Sequence, residues 1–77
     1  MLQRQSERLT EELIKIDAWL RRTPQTDHET VGRRIGRHLG KYPAAAAIVV
    51  AEAIHDAEGR AIGLRISSRL DAGQRTH

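Results

Sequence analysis

Residues 44–67 read Ala44-Ala45-Ala46-Ala47-Ile48-Val49-Val50-Ala51-Glu52-Ala53-Ile54-His55-Asp56-Ala57-Glu58-Gly59-Arg60-Ala61-Ile62-Gly63-Leu64-Arg65-Ile66-Ser67, and the choice between helix and strand here decides the fold. The alanine run, with Pro43 at a first-helical position, favours a helix. The β-branched run Ile48-Val49-Val50 favours a strand. The second half breaks the tie. Asp56-Ala57-Glu58-Gly59 has the form of a hairpin connection with glycine in the left-handed position. After it, Ile62, Leu64 and Ile66 alternate with Gly63, Arg65 and Ser67, a period-2 pattern with one buried face. A strand needs a neighbour, and the preceding run is the one available. The reading is a β-hairpin over residues 48–67, pairing 48–55 with 61–67. Such a hairpin is marginal unless a helix covers it.

Two helices precede it. Leu9, Leu13, Ile16 and Leu20 recur at i, i+4, i+7 and i+11, with Ile14 and Trp19 beside them, which predicts an amphipathic helix over residues 6–22. Arg21 and Arg22 suit its C-terminus, and Thr23-Pro24 stops it. A glutamate–lysine pair at i,i+4, Glu11 with Lys15, adds a favourable contact. A second helix is expected over residues 28–41, started by Thr26 or Asp27, of which Thr26 with Glu29 has the capping-box form. Its residues fall into rows. Val31, Ile35 and Leu39 are apolar; Gly32, Gly36 and Gly40 form a glycine row beside them; Arg33, Arg37 and Lys41, with Arg34 and His38, form a basic half. Each interior glycine costs about 1 kcal/mol against alanine. The expected compensation is close packing of the first helix on the glycine strip, the short connection making an antiparallel helical hairpin. Residues 68–77 hold few apolar side chains and read as an unpacked, disordered tail. The fold class is α+β, one domain over residues 1–77.

The composition bounds function. A chain of 77 residues builds one small core; here it is aliphatic, with Trp19 and Tyr42 as the two aromatics. The absence of cysteine excludes disulfides, thiolate metal sites and cysteine nucleophiles. No apolar run is long enough to span a membrane, and the first residues lack the apolar region of a signal peptide. A cytoplasmic protein without a membrane partner is expected.

Catalytic groups do not converge in the sequence. There is no phosphate-binding glycine loop and no nucleophile elbow. Glu52 and His55, at i,i+3, would share one helix face as metal ligands but point oppositely on a strand. The motif occurs once, short of what a carboxylate-bridged site requires. His28 and His38 are too far apart on one helix to share an ion. Glu11, Glu12 and Asp17 read as a solvated face or as arginine partners. No catalytic, metal or cofactor residue is assigned, and no small-molecule substrate is expected.

The basic face is the functional signal. The formal net charge is +3, and residues 32–41 hold Arg33, Arg34, Arg37 and Lys41 with no acid. Arg33, Arg34, Arg37, His38 and Lys41 are the candidate nucleic-acid contacts. They point to phosphate binding that is blind to sequence and sensitive to salt. With no aromatic residues among them, base stacking is not expected.

One resemblance adds to this. The helix Leu9-Thr10-Glu11-Glu12-Leu13-Ile14-Lys15-Ile16-Asp17-Ala18-Trp19-Leu20 leads to the run Thr30-Val31-Gly32-Arg33-Arg34-Ile35-Gly36-Arg37-His38-Leu39-Gly40-Lys41-Tyr42-Pro43 and then to a strand pair. Over residues 7–70 this order resembles an internal stretch of bacterial insertion-sequence transposases of the DDE class. There, a helical pair and a β-rich insertion interrupt a ribonuclease-H-like core. The resemblance implies DNA transposition, with a divalent metal such as magnesium held by three carboxylates of that core. No residue here matches those carboxylates, so no activity of its own is expected, and the chain reads as an incomplete piece of a larger domain. The rival expectation is a small stand-alone DNA-binding regulator that self-associates through the Leu9–Leu20 seam.

Overall fold

The computed structural model describes residues 2–69, with side chains from residue 4 onward. Helix α1 spans Leu2–Arg22, α2 His28–Lys41 and α3 Pro43–Ala46; strands β1, Val49–His55, and β2, Ala61–Ser68, follow. The order and the α+β character agree with the sequence reading. The start of α1 does not: it lies four residues before the expected one. Gln3, Arg4 and Gln5 are good helix formers and extend the helix past Ser6.

The seam of α1 is the core. Leu9, Leu13, Ile16 and Leu20 are all buried, together with Val31, Ala45, Val49, Ala61 and Leu64. Helix α1 is the central element. It packs most extensively against β2 and also touches α2, α3 and β1. The hairpin is thereby covered on one face, as an isolated two-stranded sheet requires. Trp19, Ile35, Leu39, Tyr42, Ala51, Ala53 and Ile66 close around the buried set. Among the described residues the one exposed large apolar side chain is Ile14, at 52%.

The ambiguous stretch resolves into both alternatives. Pro43 starts a single helical turn that ends at Ala46, and β1 begins at Val49. The strands are antiparallel, pairing Val49 with Ser68 through to Ile54 with Gly63, with a bulge between Ile54 and His55. The connecting turn is organised by Asp56. Its carboxylate accepts from the backbone N–H groups of Glu58 (3.0 Å) and Arg60 (2.9 Å) and from Arg60 Nε (2.8 Å). Gly59 adopts φ +79°, the left-handed conformation read from the sequence. These bonds to the ionised form hold the Asp56 carboxyl below its ordinary pKa, the Arg60 backbone N–H contributing most.

The expected tail is corrected at its start. Ser68 belongs to β2, and the Arg69 backbone N–H donates to the Ile48 carbonyl at 2.8 Å. Residues 70–77 lie outside the described residues. The connection between α1 and α2 also does more than turn the chain. Gln25 and Ala61 exchange two backbone hydrogen bonds, Gln25 N–H to Ala61 C=O at 3.1 Å and Ala61 N–H to Gln25 C=O at 2.7 Å. This bridge extends the sheet by one residue beside β2.

Candidate nucleic-acid interface

Helix α2 is capped by Asp27, one of the two candidates in the sequence, rather than by Thr26. Asp27 Oδ1 accepts from the backbone N–H groups of Glu29 (3.1 Å) and Thr30 (3.2 Å), and the Thr30 hydroxyl donates to Oδ2 at 2.6 Å. Asp27 thus satisfies amide groups left without helical partners. Its carboxyl is held below the usual range, the Thr30 hydroxyl first among the causes. Val31 is buried, and Ile35 and Leu39 pack against the core, so the apolar row fixes the rotation of α2. The row of Arg33, Arg37 and Lys41 is thereby turned outward.

The glycine row is where expectation and structure part. A Cβ added at Gly32, Gly36 or Gly40 would meet nothing within 4 Å. The strip is exposed, and α1 does not press on it. The reason is geometric: α1 buries its leucine seam against β2 and α3, so α2 meets α1 along the Val31–Leu39 row and the Arg34–His38 side. Contacts of Arg34 with Trp19 and of His38 with Glu12 run in opposite directions along the two helices, which makes them antiparallel as expected.

The five candidate residues differ in their freedom. Arg33 is bonded to Glu29, Nη2 to Oε1 at 2.9 Å, so part of its charge is neutralised. Arg34 lies over the Trp19 ring, Cζ 4.2 Å from the centroid. Such stacking fixes the guanidinium while leaving its rim of N–H donors outward. Arg37 and Lys41 are exposed. Arg33, Arg34, Arg37 and Thr30 line one shallow groove, and Arg34 and Arg37 also border a second with Lys15 and Trp19. His38 is the exception. It is only 18% exposed, and its Nδ1 is buried, 3.8 Å from Glu12 Oε2 and without a hydrogen bond. Its ring borders the groove of Arg34 and Arg37 from the α1 side, which makes it the least accessible of the five candidates.

Sequence reasoning missed Arg4 and Arg8. Because α1 and α2 are antiparallel, the start of α1 meets the end of α2, and Arg4, Gln5 and Arg8 line a cleft with Lys41 and Tyr42. The basic surface therefore continues off α2 onto α1. The i,i+4 spacing of Arg4 and Arg8 was the available signal. Acids border it: Glu7, Glu11 and Glu12 line the adjoining cleft. The expected Glu11–Lys15 pair is replaced by Glu12–Lys15, at 3.6 Å.

Glu52 lies on β1, so the helical ligand geometry with His55 is absent. Among the described residues no three histidine, aspartate or glutamate side chains converge on a point. The donor set does not fit the three-carboxylate metal site that the transposase resemblance implies. No helix among the described residues is long and apolar enough to cross a membrane. No protein-family model, curated protein or solved structure matches this chain.

Proposed function

We propose that the chain binds nucleic acid through α2, with Arg34, Arg37 and Lys41 on backbone phosphates and Arg33 in support. The observation that carries this is the outward basic row beside an open glycine strip. Three glycines without side-chain relief let a phosphate backbone approach the helix closely, and Arg37 and Lys41 are free to meet it. Stacking on Trp19 holds Arg34 ready. Contacts of this kind position a duplex without reading its bases. Arg4 and Arg8 extend the same surface.

The test is fluorescence anisotropy with a duplex DNA at low salt. Arg37→Glu with Lys41→Glu is expected to abolish binding, and unchanged affinity would overturn the proposal. Three phosphate contacts give a slope of log K against log salt of about −2.7.

A second reading rests on the element order. Helix, basic helix and strand pair follow each other as the transposase resemblance implies, and in that reading the basic helix would hold element-end DNA. The buried core, with Ile14 as the one exposed large apolar side chain among the described residues, favours instead a small regulatory DNA-binding unit. Cooperative unfolding of the isolated chain separates the two: a sharp transition is expected of the regulatory unit, a broad one with aggregation of a piece cut from a larger domain.

A further inference from the structure

We propose that His28 and His55 form a two-histidine site for a divalent transition-metal ion of the zinc, nickel or copper type. The two are 27 positions apart in sequence, yet His55 Nε2 lies 3.2 Å from His28 Nδ1, and the ring centroids are 4.8 Å apart. Metal–imidazole bonds are about 2.0–2.1 Å. Two nitrogens on one ion are then about 2.9 Å apart at a right angle and about 3.3 Å apart at the tetrahedral angle. The observed separation falls between these, at the long end of the range for an N–H hydrogen bond. An ion between the rings takes one lone pair from each. The ring that donated its N–H in the free pair keeps its proton on the other nitrogen, so both imidazoles stay neutral.

The pair is held by the fold rather than by chance side-chain positions. Ala61, fully buried, exchanges backbone hydrogen bonds with Gln25, three residues before His28. The same Ala61 is the strand partner of His55, just past the bulge. Asp27 fixes the backbone that carries His28 by capping α2. Both rings are exposed, so an ion has access. No group of three donors occurs among the described residues, so water would complete the coordination. Imidazole donors of this kind favour copper, nickel and zinc over magnesium or calcium. The site is remote in kind from a carboxylate-held magnesium pair and does not depend on the DNA proposal.

The experiment titrates nickel chloride and zinc chloride into the full chain by calorimetry, with melting temperature followed in parallel. The expected result is saturable one-to-one binding, reversed by EDTA, with a rise in melting temperature, because the ion binds the folded state that joins α2 to β1. His28→Gln and His55→Gln should each weaken binding at least about tenfold, the loss that even an outer-shell partner can produce. Circular dichroism on both variants confirms that these exposed substitutions leave the fold intact. Glu52→Gln should bind as the parent does. Absence of saturable binding, affinity unchanged from the parent in either histidine variant, or loss in Glu52→Gln would each overturn the site.

Discussion

The Asp17 carboxylate accepts the backbone N–H of Leu64 at 2.7 Å, joining the middle of α1 to β2 across 47 positions of sequence. Asp17 Oδ2 also accepts from Arg21 Nε at 2.9 Å. The exposed edge of β2 is therefore sealed by side chain at Leu64 and by main chain at Ala61, where Gln25 bridges. An open strand edge offers unpaired amides to other chains, and α1 answers this at one of its polar positions. A side chain at position 63 would have to displace the Asp17 carboxylate. A Cβ on Gly63 would sit 2.9 Å from Asp17 Oδ1.

Gly63→Ala is accordingly expected to destabilise the chain by about 1–3 kcal/mol, the usual cost of overpacking. Asp17→Ala leaves the Leu64 N–H without its acceptor and should cost about 1–3 kcal/mol. Urea unfolding of both single variants and of the double variant measures the coupling. Fully additive losses would show that the two residues do not meet.

Gly36→Ala has the opposite sign. With open space around the position, alanine gains helix propensity worth about 1 kcal/mol. In a domain of this size that is a rise of about 4–8 °C in melting temperature. A fall would mean that the strip is packed after all.

Leu13 is fully buried at the centre of the α1 seam. Leu13→Ala should cost about 2–5 kcal/mol through lost burial and the cavity left behind. Chemical denaturation gives the value, and a change below 1 kcal/mol would place the seam outside the core.

Acid stability follows from three carboxylates. Asp17, Asp27 and Asp56 all have their pKa lowered from 3.8, chiefly by hydrogen bonds from the Leu64 amide, the Thr30 hydroxyl and the Arg60 amide respectively. A depressed folded pKa means that the unfolded chain binds more protons near that pH. The stabilisation is complete above the unfolded value of 3.8 and is lost as pH falls through the lower folded values. Melting temperature against pH should drop below pH 4, less steeply in Asp17→Asn.

Salt dependence checks the interface. Lys41→Gln removes one phosphate contact and should reduce the slope of log K against log salt by about 1 while weakening all duplex sequences alike. His38→Gln should leave the slope unchanged, since that ring faces Glu12. Anisotropy titrations at several salt concentrations distinguish the two.

The elements themselves were legible in the sequence because their signals are local. The leucine spacing marked the buried face of α1, Asp56 to Gly59 marked the turn, and the alternation of Ile62, Leu64 and Ile66 marked β2. The basic row of α2 was likewise visible as a helical repeat. What the sequence left open, or assigned wrongly, depended on which element lay beside which. The glycine row adjoined an apolar row, so packing was the natural reading; α1 spends its seam on β2 and α3 and leaves the strip bare. Asp17 was legible as a solvated acid or an arginine partner, and it does pair with Arg21, but its bond to the Leu64 amide was not; the nearness of Arg4 and Arg8 to Lys41, and of His28 to His55, was equally invisible. Periodicity within a segment fixes which of its faces is apolar. Only the tertiary structure decides what covers that face and which polar groups meet across it, because those contacts join residues whose separation in sequence carries no periodic signal.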